Sequence, residues 1–210
     1  MSQASRTFWT SSEVNVVKSE VIAVSSKGQG MDAALAQADQ TAGQMGLSPR
    51  EALHMRLLVE EMMSMVRSII GGLEGKFWIE TEDGAYRLYL QMASLLDAEQ
   101  RKQLISASTS GKNEAHRGIM GKIRAFFEPM PIEDTPAYLA GTIVRGNASD
   151  DLTWSMEAYR ERLLKRKDAS DEAQQEWDEL EKSVVSHIAD NVTVSIRNYD
   201  VELMIYKKLG

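Results

Sequence analysis

Two neighbouring glutamates, Glu60 and Glu61, stand in a segment with helical periodicity. Adjacent side chains on a helix point about 100° apart, so these two cannot face each other as an acid–base pair. One of them is expected to be a solvated helix charge. His54 lies seven residues before Glu61, on a neighbouring face. A histidine–carboxylate site is conceivable there, but a partly exposed histidine is the favoured interpretation.

A second set of residues could bind an anion. Gly118 and Gly121 stand near the start of a segment with helical periodicity, and Arg117 and Lys122 flank them. Glycine near a helix start lets a phosphate approach backbone N–H groups, and the two cations could pair with it. The alternative is that the glycines, one turn apart, form a small face for close helix packing. The weakness of short glycine motifs favours packing.

Several other chemistries lack support. The chain has no cysteine, which excludes disulfides, thiolate metal sites and cysteine nucleophiles and favours a reducing compartment. The three histidines show none of the spacings that place two imidazoles on one helix face. Ser110-Gly111-Lys112 lacks the upstream glycine of a phosphate-binding loop, and no GxSxG motif is present.

The charge and hydropathy of the chain argue against nucleic-acid and membrane partners. The 210 residues carry a net charge of −7, and Lys165, Arg166 and Lys167 form the one tight basic cluster, which is read as the cationic end of a helix. No apolar run approaches the roughly 20 residues that span a bilayer, and the N-terminal residues do not resemble a signal peptide. We therefore expect a cytoplasmic protein with no nucleic-acid or membrane partner.

The elements that must position these residues begin with a strand-like segment over 13–26, followed by a helix that ends at Gly46. A second helix has the clearest start signal in the chain. Ser48 is its N-cap, a proline follows, and Glu51 completes a capping box. This helix is predicted to run to about Ile70. Its apolar stripe comprises Leu58, Met62, Met65, Val66 and Ile69.

Two hairpins are predicted. Alternating residues over 76–92 surround Asp83-Gly84, a dipeptide that suits a tight type I′ turn, and a second hairpin is centred on 198–200. Between them, Asp97 is read as the cap of a short helix, and a further helix spans Ile119 to Phe127.

Three prolines between 129 and 136 mark a linker, and two helices with a short polar connection follow it. The first has a stripe of Leu152, Met156, Tyr159 and Leu163. The second has a stripe of Ala173, Trp177, Leu180, Val184 and Ile188. The predicted fold is α+β, a two-layer α/β sandwich with helices on one face of a largely antiparallel mixed sheet. Residues 1–210 form a single domain, and 130–189 are a helical insertion within it.

Three segments resemble the histidine-kinase-like ATPases (the Bergerat, or GHKL, fold), and specifically their anti-sigma-factor serine-kinase branch. LSPREALHMRLLVEEMMSMV, residues 47–66, is similar to that family's first conserved segment. RGIMGKIRAFF, residues 117–127, resembles its second glycine box, and NVTVSIRNYDVELMIYKKL resembles its closing pair of strands.

The resemblance implies roles for particular residues. In such ATPases the helix presents a glutamate that orients the attacking group, and this position falls on Glu61. An asparagine four residues later binds magnesium, and here that position is Met65. A thioether is a poor ligand for a hard cation, so the metal contact is lost and Met65 is read as core. No metal ligand is therefore predicted.

The nucleotide motifs of the family are also degenerate. After the first hairpin the family places an aspartate that reads adenine, followed by glycines, whereas this chain has QMASLLDAEQ. Asp97 has no glycine after it and is better explained as a helix N-cap. Under the resemblance, Gly118, Gly121, Lys122 and Arg117 are the residues that would meet ATP phosphates.

These observations predict a non-catalytic regulatory protein of bacterial type that uses a degenerate kinase-like fold as a protein-binding scaffold and needs no cofactor. The resemblance implies a sigma factor or an anti-sigma-factor antagonist as partner, and a possible homodimer. The first alternative is an active ATP- and magnesium-dependent serine/threonine kinase that uses Glu61. The second is a sensor that binds a small anion over Gly118 and Gly121.

Overall fold

Helices cover one face of an eight-stranded sheet in the computed structural model of the chain. The structure describes residues 15–69, 73–93, 118–124, 143–145, 152–166, 171–197 and 200–210. This arrangement confirms the predicted α+β sandwich. Every strand pairing within the described ranges is antiparallel.

The described strands and helices have the following bounds. The strands are β1 (Val17–Lys18), β2 (Ile22–Ser25), β3 (Glu74–Glu82), β4 (Ala85–Ala93), β5 (Ile143–Arg145), β6 (Leu152–Ser155), β7 (Asn191–Arg197) and β8 (Asp200–Lys208). The helices are α1 (Met31–Gln44), α2 (Pro49–Ser68), α3 (Gly118–Arg124), α4 (Met156–Arg166), α5 (Asp171–Lys182) and α6 (Val184–Ile188). The sheet order is β1-β3-β4-β8-β7-β6-β5, and β2 also pairs with β3.

Both predicted hairpins are confirmed. β3 and β4 meet at Asp83-Gly84, where Gly84 has the positive φ of 72° that its lack of a Cβ permits. β7 and β8 form the second hairpin, and β8 also pairs with β4. The two hairpins therefore form the centre of the sheet. Alternate side chains of these strands point into the core, as the sequence pattern predicts.

α2 begins as predicted. The Ser48 hydroxyl accepts a hydrogen bond from the Glu51 backbone N–H at 3.3 Å, and the Glu51 carboxylate accepts one from the Ser48 backbone N–H at 2.9 Å. The Ser48 hydroxyl also donates to the Glu51 carboxylate at 2.6 Å, and this bond, followed by the one from the Ser48 backbone N–H, lowers the pKa of the Glu51 carboxyl below its ordinary value. The reciprocal capping box fixes where this 20-residue helix starts, and hence which of its residues face the sheet.

The region predicted as a helical insertion, residues 130–189, differs from the prediction in three places. Ile143–Arg145 form strand β5, paired with β6, which the helical prediction does not include. Leu152–Ser155 form strand β6, paired with β7, whereas the sequence predicts helix there, so the Leu152 to Leu163 stripe begins only at Met156. The second predicted helix is also two helices, because it breaks at Ser183 and Val184–Ile188 form α6. α4 and α5 do pack against each other as a helical hairpin.

A continuous apolar core lies between the helices and the sheet. Met55, Leu58, Val59, Met62 and Val66 of α2 are fully buried. They meet the inward side chains of the two central hairpins, which are Phe77, Ile79, Tyr86, Leu88, Leu90, Met92, Val192, Val194, Ile196, Val201, Leu203 and Ile205. α2 is therefore the element that sets what can occupy the space above the sheet.

Candidate functional site

α2 carries the two positions, Glu61 and Met65, at which the resembling ATPases place a glutamate and an asparagine. Met65 is 4% exposed and belongs to the core, as predicted, while Glu61 one turn earlier is partly exposed. Glu61 makes no hydrogen bond or ion pair with another residue that the structure describes. The helix thus turns the thioether inward and leaves the carboxylate at the edge of the buried stripe.

Glu60 is the solvated helix charge that the sequence analysis expects of one of the pair. Its carboxylate lies 3.1 Å from the Arg56 guanidinium, one helical turn away on the exposed side of α2. Arg56 also pairs with Asp39 of α1, so this surface ion-pair group ties the two helices together. Glu60 is therefore engaged in an exposed ion pair within α2.

Met65 belongs to the continuous apolar core of the chain. Met62, Met63, Ile119, Met120 and Ile123 belong to the same buried cluster, and α2 contacts α3. A magnesium ion requires oxygen ligands and retains several waters, neither of which a buried thioether among aliphatic side chains can supply. Among the described residues, no group of three or more histidines and carboxylates could hold a metal ion. The described donor set does not fit a magnesium nucleotide at Met65.

The glycine segment forms the short helix α3, which starts at Gly118. Among its described side chains, Ile119, Met120 and Ile123 are buried and Arg124 is partly exposed, and the helix contacts α2, α5 and α6. Arg117 and the side chain of Lys122 lie outside the described residues, as do the surroundings of Gly121. The phosphate-binding prediction at these four positions stays a prediction. The described part of α3 is used for packing.

Of the remaining candidates, the structure describes two histidines. His54 is partly exposed on α2, which confirms the favoured interpretation of that residue. His187 is exposed on α6, with its Nδ1 atom 3.0 Å from the Ser183 carbonyl oxygen. His116 and Asp97 lie outside the described residues.

A cleft of about 380 Å³ opens at one end of the sheet, a site that sequence reasoning missed. Glu74, Lys76 and Asp200 contribute charges of both signs, and Gly75 forms part of its floor. A Cβ at Gly75 would lie 2.5 Å from Met92 Cγ and 2.7 Å from the Gln91 carbonyl oxygen, so a side chain there would clash. Its lining comes from distant segments, so no local sequence signal identifies the cleft.

The face of the sheet opposite the helices carries an aromatic stack, which is a second feature that sequence reasoning missed. Trp78 and Tyr89 stack with their ring centroids 4.9 Å apart, and the Lys18 ammonium lies 4.2 Å from the Trp78 ring centroid. Arg87 similarly covers the ring of Tyr206 at 5.0 Å. Burial, and then the nearby Glu80 carboxylate, raise the pKa of Tyr89 to about 12. Cations of the same chain thus cover these rings, which explains how aromatics persist on a face where the structure describes no helix.

The sequence matches no known family model and no curated protein at a significant level. Among the helices that the structure describes, none combines the length and the apolar character needed to cross a bilayer.

Proposed function

We propose that this chain is a non-catalytic regulatory protein that uses a degenerate kinase-like fold to bind another protein. The observation that carries the proposal is the burial of Met65, 4% exposed, at the position where the resembling ATPases place a magnesium ligand. Phosphoryl transfer depends on positioning and on neutralisation of phosphate charge by magnesium. A chain that buries a methionine at this position lacks the metal ligand that the reaction requires, although it keeps the helix and the sheet.

Two further observations support a scaffold. Glu60 is bound to Arg56, and Glu61 has no partner in the described part of the chain that would orient it as a base. The inserted region joins the sheet through β6 and packs α5 on α3, the helix of the glycine segment. The insertion thus adds surface next to the helix that would otherwise face a nucleotide.

The partner follows from the resemblance to the anti-sigma-factor branch. We propose a bacterial sigma factor or an antagonist of an anti-sigma factor as the partner, a homodimer as the working form, and the cytoplasm as the compartment. Co-elution of the purified chain with sigma factors and antagonists from the same genome tests this directly. Failure of all of them to bind would contradict the proposed partner class.

Nucleotide binding separates the scaffold from both alternatives. A ligand that binds the native state at 100 times its dissociation constant stabilises it by about 2.7 kcal/mol, which raises the melting temperature by several degrees. We expect no rise with magnesium-ATP, with ATP alone or with inorganic phosphate. A rise with magnesium-ATP would favour the kinase that uses Glu61, and a rise with phosphate alone would favour the anion sensor.

A further inference from the structure

The β1–β2 edge of the sheet exposes three valines. Val16, Val17 and Val21 are 47%, 58% and 50% exposed. Among the strands that the structure describes, β1 and β2 pair with β3 alone, so no described strand lies on the outer side of this edge. Proteins usually protect such an edge with charge, proline or a covering element. Here the exposed valines flank the exposed charges of Lys18 and Glu20, so a further strand that pairs with this edge must bring complementary charges.

The sequence of this edge is symmetric about Ser19. Valines stand two residues to either side of it, at positions 17 and 21, and residues of opposite charge, Lys18 and Glu20, flank it directly. If two copies pair antiparallel with Ser19 on the twofold axis, Val17 of each faces Val21 of the other. Lys18 of each then faces Glu20 of the other, so the symmetry forms this ion pair twice.

We propose that the β1–β2 edge is the interface of the homodimer, paired antiparallel about Ser19. This inference rests on the homodimer proposed above and assigns it a surface. A second copy is the occupant because the charge pattern complements itself. An edge carrying one sign of charge would instead suit a foreign strand of the opposite sign.

The backbone around Ser19 is oriented for this pairing. Its N–H donates to the Ile79 carbonyl oxygen at 2.9 Å, and its hydroxyl accepts from the Ile79 N–H at 2.8 Å. Ser19 therefore faces β3, and the alternation of an antiparallel ladder turns the polar groups of its neighbours outward. The Glu20 carbonyl oxygen accepts from the Gln37 amide at 2.8 Å. In the dimer a backbone N–H of the second strand takes the place of that amide.

Lys18 is already held on the open face of the sheet. Its ammonium lies 4.2 Å from the Trp78 ring centroid and 4.0 Å from the Glu80 carboxylate. Because these contacts already order the Lys18 side chain, it loses less conformational entropy when it pairs with Glu20 of a second copy.

Charge reversal tests the interface by sedimentation velocity at low salt. Glu20→Lys places a lysine opposite Lys18 of the second copy, and Lys18→Glu places a glutamate opposite Glu20. We expect each variant alone to raise the dimer dissociation constant about tenfold or more. An equimolar mixture of the two should restore dimers, because every facing pair is again of opposite charge. The matched control, Glu181→Lys on the exposed side of α5, should dimerise like the original chain.

The outcomes distinguish the interface from the dimer itself. A monomeric original chain would overturn both proposals. If both variants dimerise as tightly as the original, this interface is wrong and the homodimer stands.

A cross-link covers the case in which a charge variant fails to fold. The chain has no cysteine, so Ser19→Cys introduces a single thiol. On the twofold axis the two Cα atoms lie about 4.5 Å apart, within disulfide range. Oxidation should give a disulfide-linked dimer with Ser19→Cys and far less with Val184→Cys, an exposed control on α6. Equal cross-linking of the two variants would overturn the interface.

Discussion

At the scale of single residues, Met65 limits what α2 can do. An asparagine there would have to bury its amide in the apolar core to which Met65 belongs. Met65→Asn should therefore gain no affinity for magnesium-ATP and should lower the free energy of unfolding by about 2–4 kcal/mol. Urea unfolding gives the stability, and thermal melts with and without the nucleotide give the affinity.

Ser64→Asn is the matched control for Met65→Asn, because Ser64 is the exposed neighbour on the same helix. Its stability should stay within about 0.5 kcal/mol of the original. If magnesium-ATP stabilised Met65→Asn but not the original chain, the original chain would have a nucleotide site that lacks only one ligand. The proposed loss of function would then result from the substitution at position 65 alone.

Tyr86 is a second residue whose chemistry is set by burial. Its hydroxyl is buried and has no hydrogen-bond partner among the described residues. Removal of an unsatisfied polar group recovers its desolvation cost, so Tyr86→Phe should raise the free energy of unfolding by about 1 kcal/mol at neutral pH. Tyr89→Phe is the control, since Tyr89 bonds to Glu80 and should lose stability on the same change. A loss with Tyr86→Phe would show that the hydroxyl has a partner.

The same burial makes stability depend on alkaline pH. Burial, then the charges of Asp190 and Glu51, raise the pKa of Tyr86 well above its ordinary value of 10. Above pH 10 the unfolded chain releases this proton while the native state keeps it, so stability falls as pH rises, by at most about 1.4 kcal/mol per pH unit. Urea unfolding between pH 9 and 11 should show a shallower fall for Tyr86→Phe. An equal slope in both proteins would contradict this account.

At the scale of elements, turn chemistry fixes the central hairpin. Gly84 has a φ of 72°, whereas Gly43 lies inside α1, and a Cβ on either would meet open space. Gly84→Ala should therefore lower stability by about 1–2 kcal/mol through backbone strain. Gly43→Ala should raise it by roughly 0.5–1 kcal/mol. Thermal or urea unfolding of both variants measures the effect of backbone conformation on stability, because neither added methyl group makes a new contact. An increase in stability with Gly84→Ala would contradict the assigned turn.

The elements that could be predicted from the sequence are those with local signals. The Ser48–Glu51 capping box and the Asp83-Gly84 turn specify their own geometry within a few residues. β6 has no such signal, since Leu152–Ser155 is short and pairs with β7 about forty residues later. The same holds for the candidate sites. Burial of Met65 follows from helix periodicity, whereas the cleft and the covered aromatic stack depend on strand register.

At the scale of the whole molecule, the inserted region is part of the sheet. β6 joins β7, and β7 joins the central strand β8, so α4 to α6 and the two hairpins share one core. Trp154 of β6, 1% exposed and with its ring centroid 6.0 Å from that of Tyr159, is the largest side chain at this junction. The chain should therefore unfold in one cooperative transition.

Trp154→Ala tests this cooperativity. Loss of a buried tryptophan lowers the free energy of unfolding by about 3–5 kcal/mol. Because the core is shared, this decrease should apply to the unfolding of the entire chain. We expect one calorimetric transition at a lower temperature, with the helical and sheet signals in circular dichroism lost together. Trp177→Ala on α5, a partly buried side chain packed against the same core, should shift the midpoint less. Two separate transitions, with only the first moved by Trp154→Ala, would show instead that the insertion folds independently of the sheet it joins.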